Sequence, residues 1–375
     1  MTIYERSRGF VTLTVVIILM ILVIAVSVFT AKNKVMEQRI ISNEVRYQQA
    51  FEAAESGLEY GIGQVRGNPQ IGGMSFTLAS GSVSGASHTF SVAAVEGTYA
   101  FTSPAGESLT YPVVDLTSTG QSLDGTSTQV HRQTLLIRPI VATGPAAPLT
   151  VGGSMVVGGS FSVAANPNAG GRGVPVSIWM DTPVDLSGSV KTCGQGEWDD
   201  GDCTVATYSS KDNAGIDVLD ADPDFPDDLF AHVFGIPSGE WSRIKNEATQ
   251  ILTSCAGLTN QSYGLIVVEG PCDLKTDLGT QESPVILLVV DGDLTLNASY
   301  DFYGIIFSFH TDPAVETDFK ANGTAAMNGS LVANHDVEIS NGNFGVRYDE
   351  LALSNIAISA SFQRITRLPG SWRDW

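Results

Sequence analysis

The sequence predicts an α+β protein: a long amino-terminal helix on a small antiparallel sheet, then a mostly-β domain, read as a β-solenoid, with a disulfide-containing insertion. Three observations predict it. An uncharged apolar run from Phe10 to Ala31 continues, without a proline, into an amphipathic pattern that reaches Arg66. Residues 67–140 alternate with period two between turn signals. Beyond Pro148, short apolar runs are separated by Gly, Asp and Asn turns, with four cysteines among them.

The boundaries that follow are a leader over 1–9, a helix over 10–66, a sheet head over 67–140 and a linker over 141–148. A β-rich domain then occupies 149–375, with an insertion at about 189–262. The run from Phe10 to Ala31 is long enough to cross a bilayer core as a helix, which takes about 20 apolar residues. Thr12, Thr14, Ser27 and Thr30 are tolerated there, since a helical hydroxyl bonds back to a carbonyl one turn earlier. Arg6 and Arg8 before the run predict that this end stays in the cytoplasm while the rest crosses the inner membrane. From Lys32 onward Val35, Met36, Ile40, Ile41, Val45, Phe51, Ala54, Leu58, Ile62 and Val65 recur at helical steps among charges. The first strong stop is Gly67-Asn68-Pro69. Such a rod suits a subunit that packs against similar rods.

The residues here carry a resemblance. Arg8-Gly9 before Phe10 and an apolar run resembles a prepilin cleavage junction. Glu37 to Glu44, followed by Gln49-Ala-Phe-Glu-Ala-Ala-Glu-Ser-Gly-Leu-Glu59, is similar to the amino-terminal domain of PilX-type minor pilins. The resemblance implies cleavage between Gly9 and Phe10 by the prepilin peptidase, methylation of the new terminus, and insertion into a type IV pilus. It implies other pilin subunits as partners, a tip adhesin as a further one, and an extracellular pilus as the final location. It assigns assembly roles to Thr14, Phe51, Ala54, Glu55 and Leu58. Thr14 departs from the glutamate usual at that position, which removes the usual salt link to a neighbouring amino terminus. The alternatives are a type II secretion pseudopilin, a single-pass anchor bearing a binding or carbohydrate-active ectodomain, and a signal peptide. The last fits poorly, because the run exceeds the 7–15 residues of an h-region.

The chain is acidic, formally −20, and residues 1–66 contribute almost nothing to that excess. An acidic ectodomain lacks the basic footprint that nucleic acid requires. Cys193, Cys203, Cys255 and Cys272 all lie beyond the membrane run, and an even count in an exported segment reads as disulfides. Three connectivities exist; the sequence-local pairs Cys193–Cys203 and Cys255–Cys272 are favoured. Zinc is the weaker reading, because no Cys-x-x-Cys occurs.

In the head, His88–Val95 and Thr98–Thr102 read as two strands, Leu109–Leu116 as an edge strand through Pro112, Ser118–Gly125 as a turn, and Thr128–Arg138 as a strand. The helix would cover one face of this sheet. Farther on, strands are expected around 154–157, 160–163, 176–179, 184–187, 264–268, 285–290, 293–296, 303–309, 330–333, 337–339 and 344–348. Stacked coils are the first expectation and a β-sandwich the second. A helix is expected from Gly239 to Ser254 inside the insertion.

Few residues suggest chemistry. Asp199, Asp200 and Asp202, and Asp222 and Asp224 within the acidic loop 217–228, are weak calcium candidates that match no EF-hand template. Otherwise no cofactor is expected. Asp291, Asp293 and Asp301 are the best carboxylates for a glycosidase, yet Asp-Gly is also a turn signal. No P-loop, Gly-x-Ser-x-Gly or His-Glu-x-x-His sequence occurs. The expectation is a structural subunit rather than an enzyme.

Overall fold

The computed structural model describes residues 8–67, 76–82, 89–102, 108–157, 160–169, 173–201, 203, 208–297, 300–312, 319–322, 324–339 and 343–374. The chain forms two compact units. Unit 1 comprises Met1–Leu136 with Ile365–Trp375, and unit 2 comprises Ile137–Arg364. The carboxy-terminal residues, expected in the β-rich domain, thus belong with the head.

Unit 1 is built on helix α1 (Arg8–Gly67), a rod of about 90 Å at 1.5 Å per residue. Strands β1 (Phe76–Ser82), β2 (Thr89–Thr102), β3 (Ser108–Gln121) and β4 (Thr128–Pro139) pair in sequence as an antiparallel meander. A final strand, β21 (Gln363–Arg367), lies beyond β4 in the same sheet. One strand replaces the two expected between residues 88 and 102, because Gly97 stays in register opposite Val113. His88 lies outside the described residues. Ser118–Gln121 belong to β3 rather than to a turn; the turn spans Ser122–Ser127, closed by Ser122 and Gly125. Pro112 sits where pairing with β4 has not begun, since that register starts at Val113, so its missing N–H is not needed there.

The helix covers this sheet with small residues. Ala50, Ala53, Ala54, Leu58, Ile62 and Val65 are buried, as are Phe90, Val92, Val114 and Leu116 on the strands. Each fully buried Leu, Ile or Val contributes roughly 1.5–3 kcal/mol. At Gly120 a side chain would run into the backbone N of Ala54 and the backbone O of Ala50. Helix and strand touch there main chain to main chain, which only glycine permits.

The strands of unit 2 pair in parallel, and only isolated bridges such as Asn166 with Val176 are antiparallel among the described residues. Its strands are β5 (Leu149–Val151), β6 (Met155–Val157), β7 (Ser160–Ala164), β8 (Ile178–Met180), β9 (Ser189–Cys193), β10 (Val218–Leu219), β11 (Gln250–Leu252) and β12 (Gly264–Glu269). They continue with β13 (Cys272–Leu274), β14 (Val285–Val290), β15 (Leu294–Asn297), β16 (Asp301–Phe309), β17 (Phe319–Asn322), β18 (Thr324–Ala333), β19 (Val337–Ile339) and β20 (Asn343–Arg347). The larger sheet runs β10-β8-β5-β18-β16-β14-β12-β11, and the smaller β13-β15-β17-β19-β6. From β12 to β19 the chain alternates between them, one strand each per turn. Gly264 pairs with Val285, Val285 with Gly304 and Gly304 with Gly329, so successive turns take 21, 19 and 25 residues. The first half of β18 pairs with β20, which passes the sheet on to β7 and β9, and its second half pairs with β5.

One core cluster gathers residues of both sheets, including Leu287, Val289, Leu294, Leu296, Phe302 and Leu331. A second lies on the other face of the larger sheet, under α3 (Leu229–Phe234) and α5 (Glu350–Ile358), and includes Phe230, Phe234, Phe307 and Phe309. Strand β14 is therefore buried at every residue, which is why it reads as an unbroken apolar run.

Several expectations change here. Residues 184–187 form no strand. The region 189–262 is not a separate insertion, because β9, β10 and β11 from it extend the larger sheet. The helix expected over 239–254 is a 3-10 turn (Ser238–Glu240) and a short α4 (Ser242–Lys245), followed by β11. Pairing of Gln250–Leu252 with β12 takes those residues out of helical geometry. Residues 141–148 are packed: Ala147 is buried, and the Ala142 N–H donates to Val233 O.

Candidate functional site

The candidate site is α1 itself. Gly9 and Phe10 lie in its first turn, which begins at Arg8, and Thr14 follows one turn later. The leader residues 1–7 lie outside the described residues. By length and composition α1 can cross a membrane, and among the described residues nothing buries that span. Ser27 and Thr30 donate to Val23 O and Val26 O at 2.7 and 2.8 Å, so their hydroxyls are satisfied within the helix. Beyond the span, Val35, Met36, Ile40, Ile41 and Val45 remain exposed, Ile40 by 67 %.

Four residues assigned to assembly pack on the head within the chain itself. Ala54 and Leu58 are fully buried under the sheet of their own head. Glu55 Oε2 lies 2.9 Å from Nδ1 of His131, a fully buried side chain on β4. Phe51 packs edge-on against the same ring at 4.5 Å, and Trp372 closes on it at 5.5 Å. The Ala-Phe-x-Ala-Ala-Glu pattern therefore packs the helix on the head, while the apolar residues from Val11 to Val45 stay exposed. Arg46 marks the border: its Nε meets Asp124 Oδ2 at 2.7 Å. The Thr126 hydroxyl and N–H, then the Ser122 hydroxyl and Arg46, hold the Asp124 carboxyl down at about 2. Sequence reasoning missed Gly120, His131 and Trp372; glycines at 57 and 61 on the helix were the available signal for close approach.

The carboxylates do not converge. Asp199 pairs with Arg347 at 3.2 Å, Asp200 caps α2 (Gln195–Asp199), and Asp202 lies outside the described residues. Asp222 accepts from the Trp179 indole N–H at 2.7 Å and from the Asp224 N–H at 3.0 Å. Among the described residues no three His, Cys, Asp or Glu side chains group as a metal site would require. Asp291 accepts from the Thr311 N–H and hydroxyl, and the Asp301 N–H donates to Asp277, so these aspartates hold turns.

A polar corner stands at the carboxyl ends of the larger sheet. Asp181, Gly152, Asn334, His310 and Asp291 each directly follow one of the neighbouring strands β8, β5, β18, β16 and β14. The first four help line a cavity of about 360 Å³ with Phe225–Phe230. Asn334 bonds the His310 backbone at both N and O, the edge-to-face rings of His310 and His335 lie 4.1 Å apart, and the Ser308 hydroxyl meets His335 Nε2 at 2.7 Å. Burial holds both imidazoles below their usual range, His335 at about 4, helped there by the neighbouring His310. Burial also pushes the Asp181 carboxyl up. Ser308 is fully buried, so this serine–histidine pair braces the turn and does not present a nucleophile. It escaped sequence reasoning because its partners meet only across parallel strands.

Both expected disulfides are present, Cys193–Cys203 with Cα atoms 5.0 Å apart and Cys255–Cys272 at 4.6 Å. The first brackets α2, and the second joins the loop after β11 to β13.

Residues 8–59 match the family model of the PilX N-terminal domain. No curated protein matches the chain. Among solved structures, the competence-associated pilin ComZ from Thermus thermophilus aligns at 13 % identity over 88 % of this chain and 97 % of its own, with a TM-score of 0.26. A score that low carries no structural inference. The amino-terminal segment thus matches the PilX N-terminal domain, as its motif implied.

Proposed function

We propose that this chain is a structural minor pilin of a type IV pilus, anchored and assembled through the outer half of α1 and carrying unit 2 as a displayed domain. One observation carries the reading. The helix spends Ala50–Val65 on its own head, while its large apolar residues from Val11 to Val45 stay exposed among the described residues, a surface suited to lipid or other helices. In lipid, packing between similar rods holds such helices together. Once the rod is withdrawn from lipid, burial at about 25 cal/mol per Å² adds a large association term. Cleavage after Gly9 would release Phe10 as the mature terminus, with the inner membrane as the first location and the extracellular filament as the last. The role is structural and needs no cofactor.

Unit 2 is read as a β-solenoid of irregular turn length, on the alternation of its strands between two parallel sheets. It enters the head after β4 and leaves it before β21, so it is an insertion rather than a tail. A domain of this size would crowd a wound shaft, which favours display at the tip, in a priming complex or for adhesion. A secretion pseudopilin would share the rod but has no need of the display.

The experiment uses the closure of the insertion. Ile140 N donates to Phe362 O at 2.7 Å, so the two ends can be joined by a tight turn in place of residues 141–361. Pili should still assemble while adhesion is lost. A truncation near residue 149 would be a poorer test, because it also removes β21. Gold label on the intact protein should mark filament ends, and labelling spread along the shaft would remove tip display.

A further inference from the structure

We infer that unit 2 carries a binding groove for a neutral glycan on the outer face of strands β9, β7 and β20, with Trp198 as its wall. These strands are parallel and in register: Ser160 pairs with Ser189, Ser162 with Lys191, and Gly345 with Ser162. Phe161, Val163, Val190 and Val346 point into the core, so Ser160, Ser162, Ser189 and Lys191 form the outward face by alternation. Ser160, Ser162, Ser189, Lys191, Trp198 and Gly345 line an open groove of about 370 Å³. That is within the usual range for small-ligand sites, roughly 300–1,000 Å³.

Trp198 stands on edge in this groove. A side chain at Gly345 would come within 2.5 Å of its Cη2, and within 3.3 and 3.6 Å of Cζ2 and Cζ3. The benzo edge therefore rests on the bare backbone of β20, and the indole walls the groove that the serines also line.

The chain holds this half-buried tryptophan with unusual care. Its helix α2 is bracketed by Cys193–Cys203. Gln195 Nε2 donates to Ala165 O at 2.8 Å and Tyr348 O at 3.0 Å, and Gln195 Oε1 accepts from Arg347 Nε at 2.9 Å. Arg347 also pairs with Asp199 at 3.2 Å. An aromatic wall fixed before binding loses little entropy when a ligand arrives.

The lining selects the ligand. Three hydroxyls each donate and accept, and Lys191 donates, a set that matches sugar hydroxyls. The indole offers a flat apolar face for the C–H side of a pyranose ring. Among the described residues no carboxylate lines the groove, which disfavours a cationic ligand, and a single lysine in a chain of net charge −20 disfavours a polyanion. The inference deepens the proposed display role and rests on unit 2 being the presented domain.

The test is an array of neutral oligosaccharides (glucose, N-acetylglucosamine, mannose and galactose series) probed with the full-length protein in detergent, followed by titration of the best ligand. Trp198→Ala should weaken binding by about tenfold, Trp198→Phe should largely keep it, and Ser162→Tyr, which fills the groove while leaving Trp198 in place, should abolish it. Should Trp198→Ala misfold, Ser162→Tyr decides. Ile40→Asp should bind sugar like the parent, since it alters only the rod. Absence of binding to any neutral glycan overturns the inference, as does binding that both groove variants retain. If glycan binding fails while filaments still form, the pilin reading stands and only the groove falls.

Discussion

The two halves of α1 are both apolar and have opposite fates. From Ala50 to Val65 the helix meets its own sheet, and the contact residues are small: Ala50, Ala53 and Ala54 let the helix backbone meet Gly120. Gly57 and Gly61 leave room for the side chains of Phe90, Ser118, Val92 and Leu116, and Leu58, Ile62 and Val65 fill the remaining space. From Val11 to Val45 the apolar residues are mostly large, and among the described residues they stay exposed. Small residues mark a surface already committed to a close partner of known shape. Large exposed ones, on the reading proposed above, mark a surface whose partner comes from outside the chain. Arg46 and Asp124 stand at the join.

The sharpest way to break this comparison is to place one charge in each half. Leu58→Asp removes a buried side chain and leaves a carboxylate under the sheet, a loss of about 5 kcal/mol or more, comparable with the stability of a whole domain. The head should fail to fold, seen as loss of protease-resistant protein before any pilus forms. Next comes Gly120→Ala. Its added methyl meets backbone rather than a flexible side chain, so a loss of about 1–3 kcal/mol is expected from overpacking. Chemical denaturation of the detergent-solubilised protein would measure it, and an unchanged midpoint would mean the helix can shift away from β3.

Ile40→Asp with Ile41→Asp should change head stability by less than about 0.5 kcal/mol, as surface substitutions do. Piliation should nevertheless be lost, as electron microscopy of sheared fractions would show. Normal filaments from this variant would sink the idea that the exposed stretch is the assembly surface.

The smallest effect belongs to the join. The Asp124 carboxyl is lowered to about 2 from an ordinary 3.8, so its contribution is present above about pH 4 and fades as pH falls through the folded value. Asp124→Asn should therefore flatten the acid end of the stability curve between pH about 4 and 2 and do little at neutrality.

The comparison also shows what was legible beforehand. A continuous helix follows from the absence of proline and from three- and four-residue recurrence, both local properties, and the Ala-Phe-x-Ala-Ala-Glu motif was legible as a motif. Its meaning was not. Periodicity places Leu58 and Ile41 on apolar stripes alike; only the position of β3 makes one internal and the other external. The helix expected over 239–254 failed for a related reason: pairing of Gln250–Leu252 with β12 outweighed local preference.

The sequence by itself determined the membrane-length rod, the family of its amino terminus, the β-rich character of the remainder and the favoured cysteine pairs, all set by residues near one another along the chain. The tertiary structure alone decided that residues 365–375 return to the head, making unit 2 an insertion, and that Trp198 stands over Gly345 beside a row of serines. Those facts depend on strands separated by tens to hundreds of residues, such as Gly345 and Ser162. Which distant strands become neighbours is settled by packing the whole core, and no local pattern carries that information.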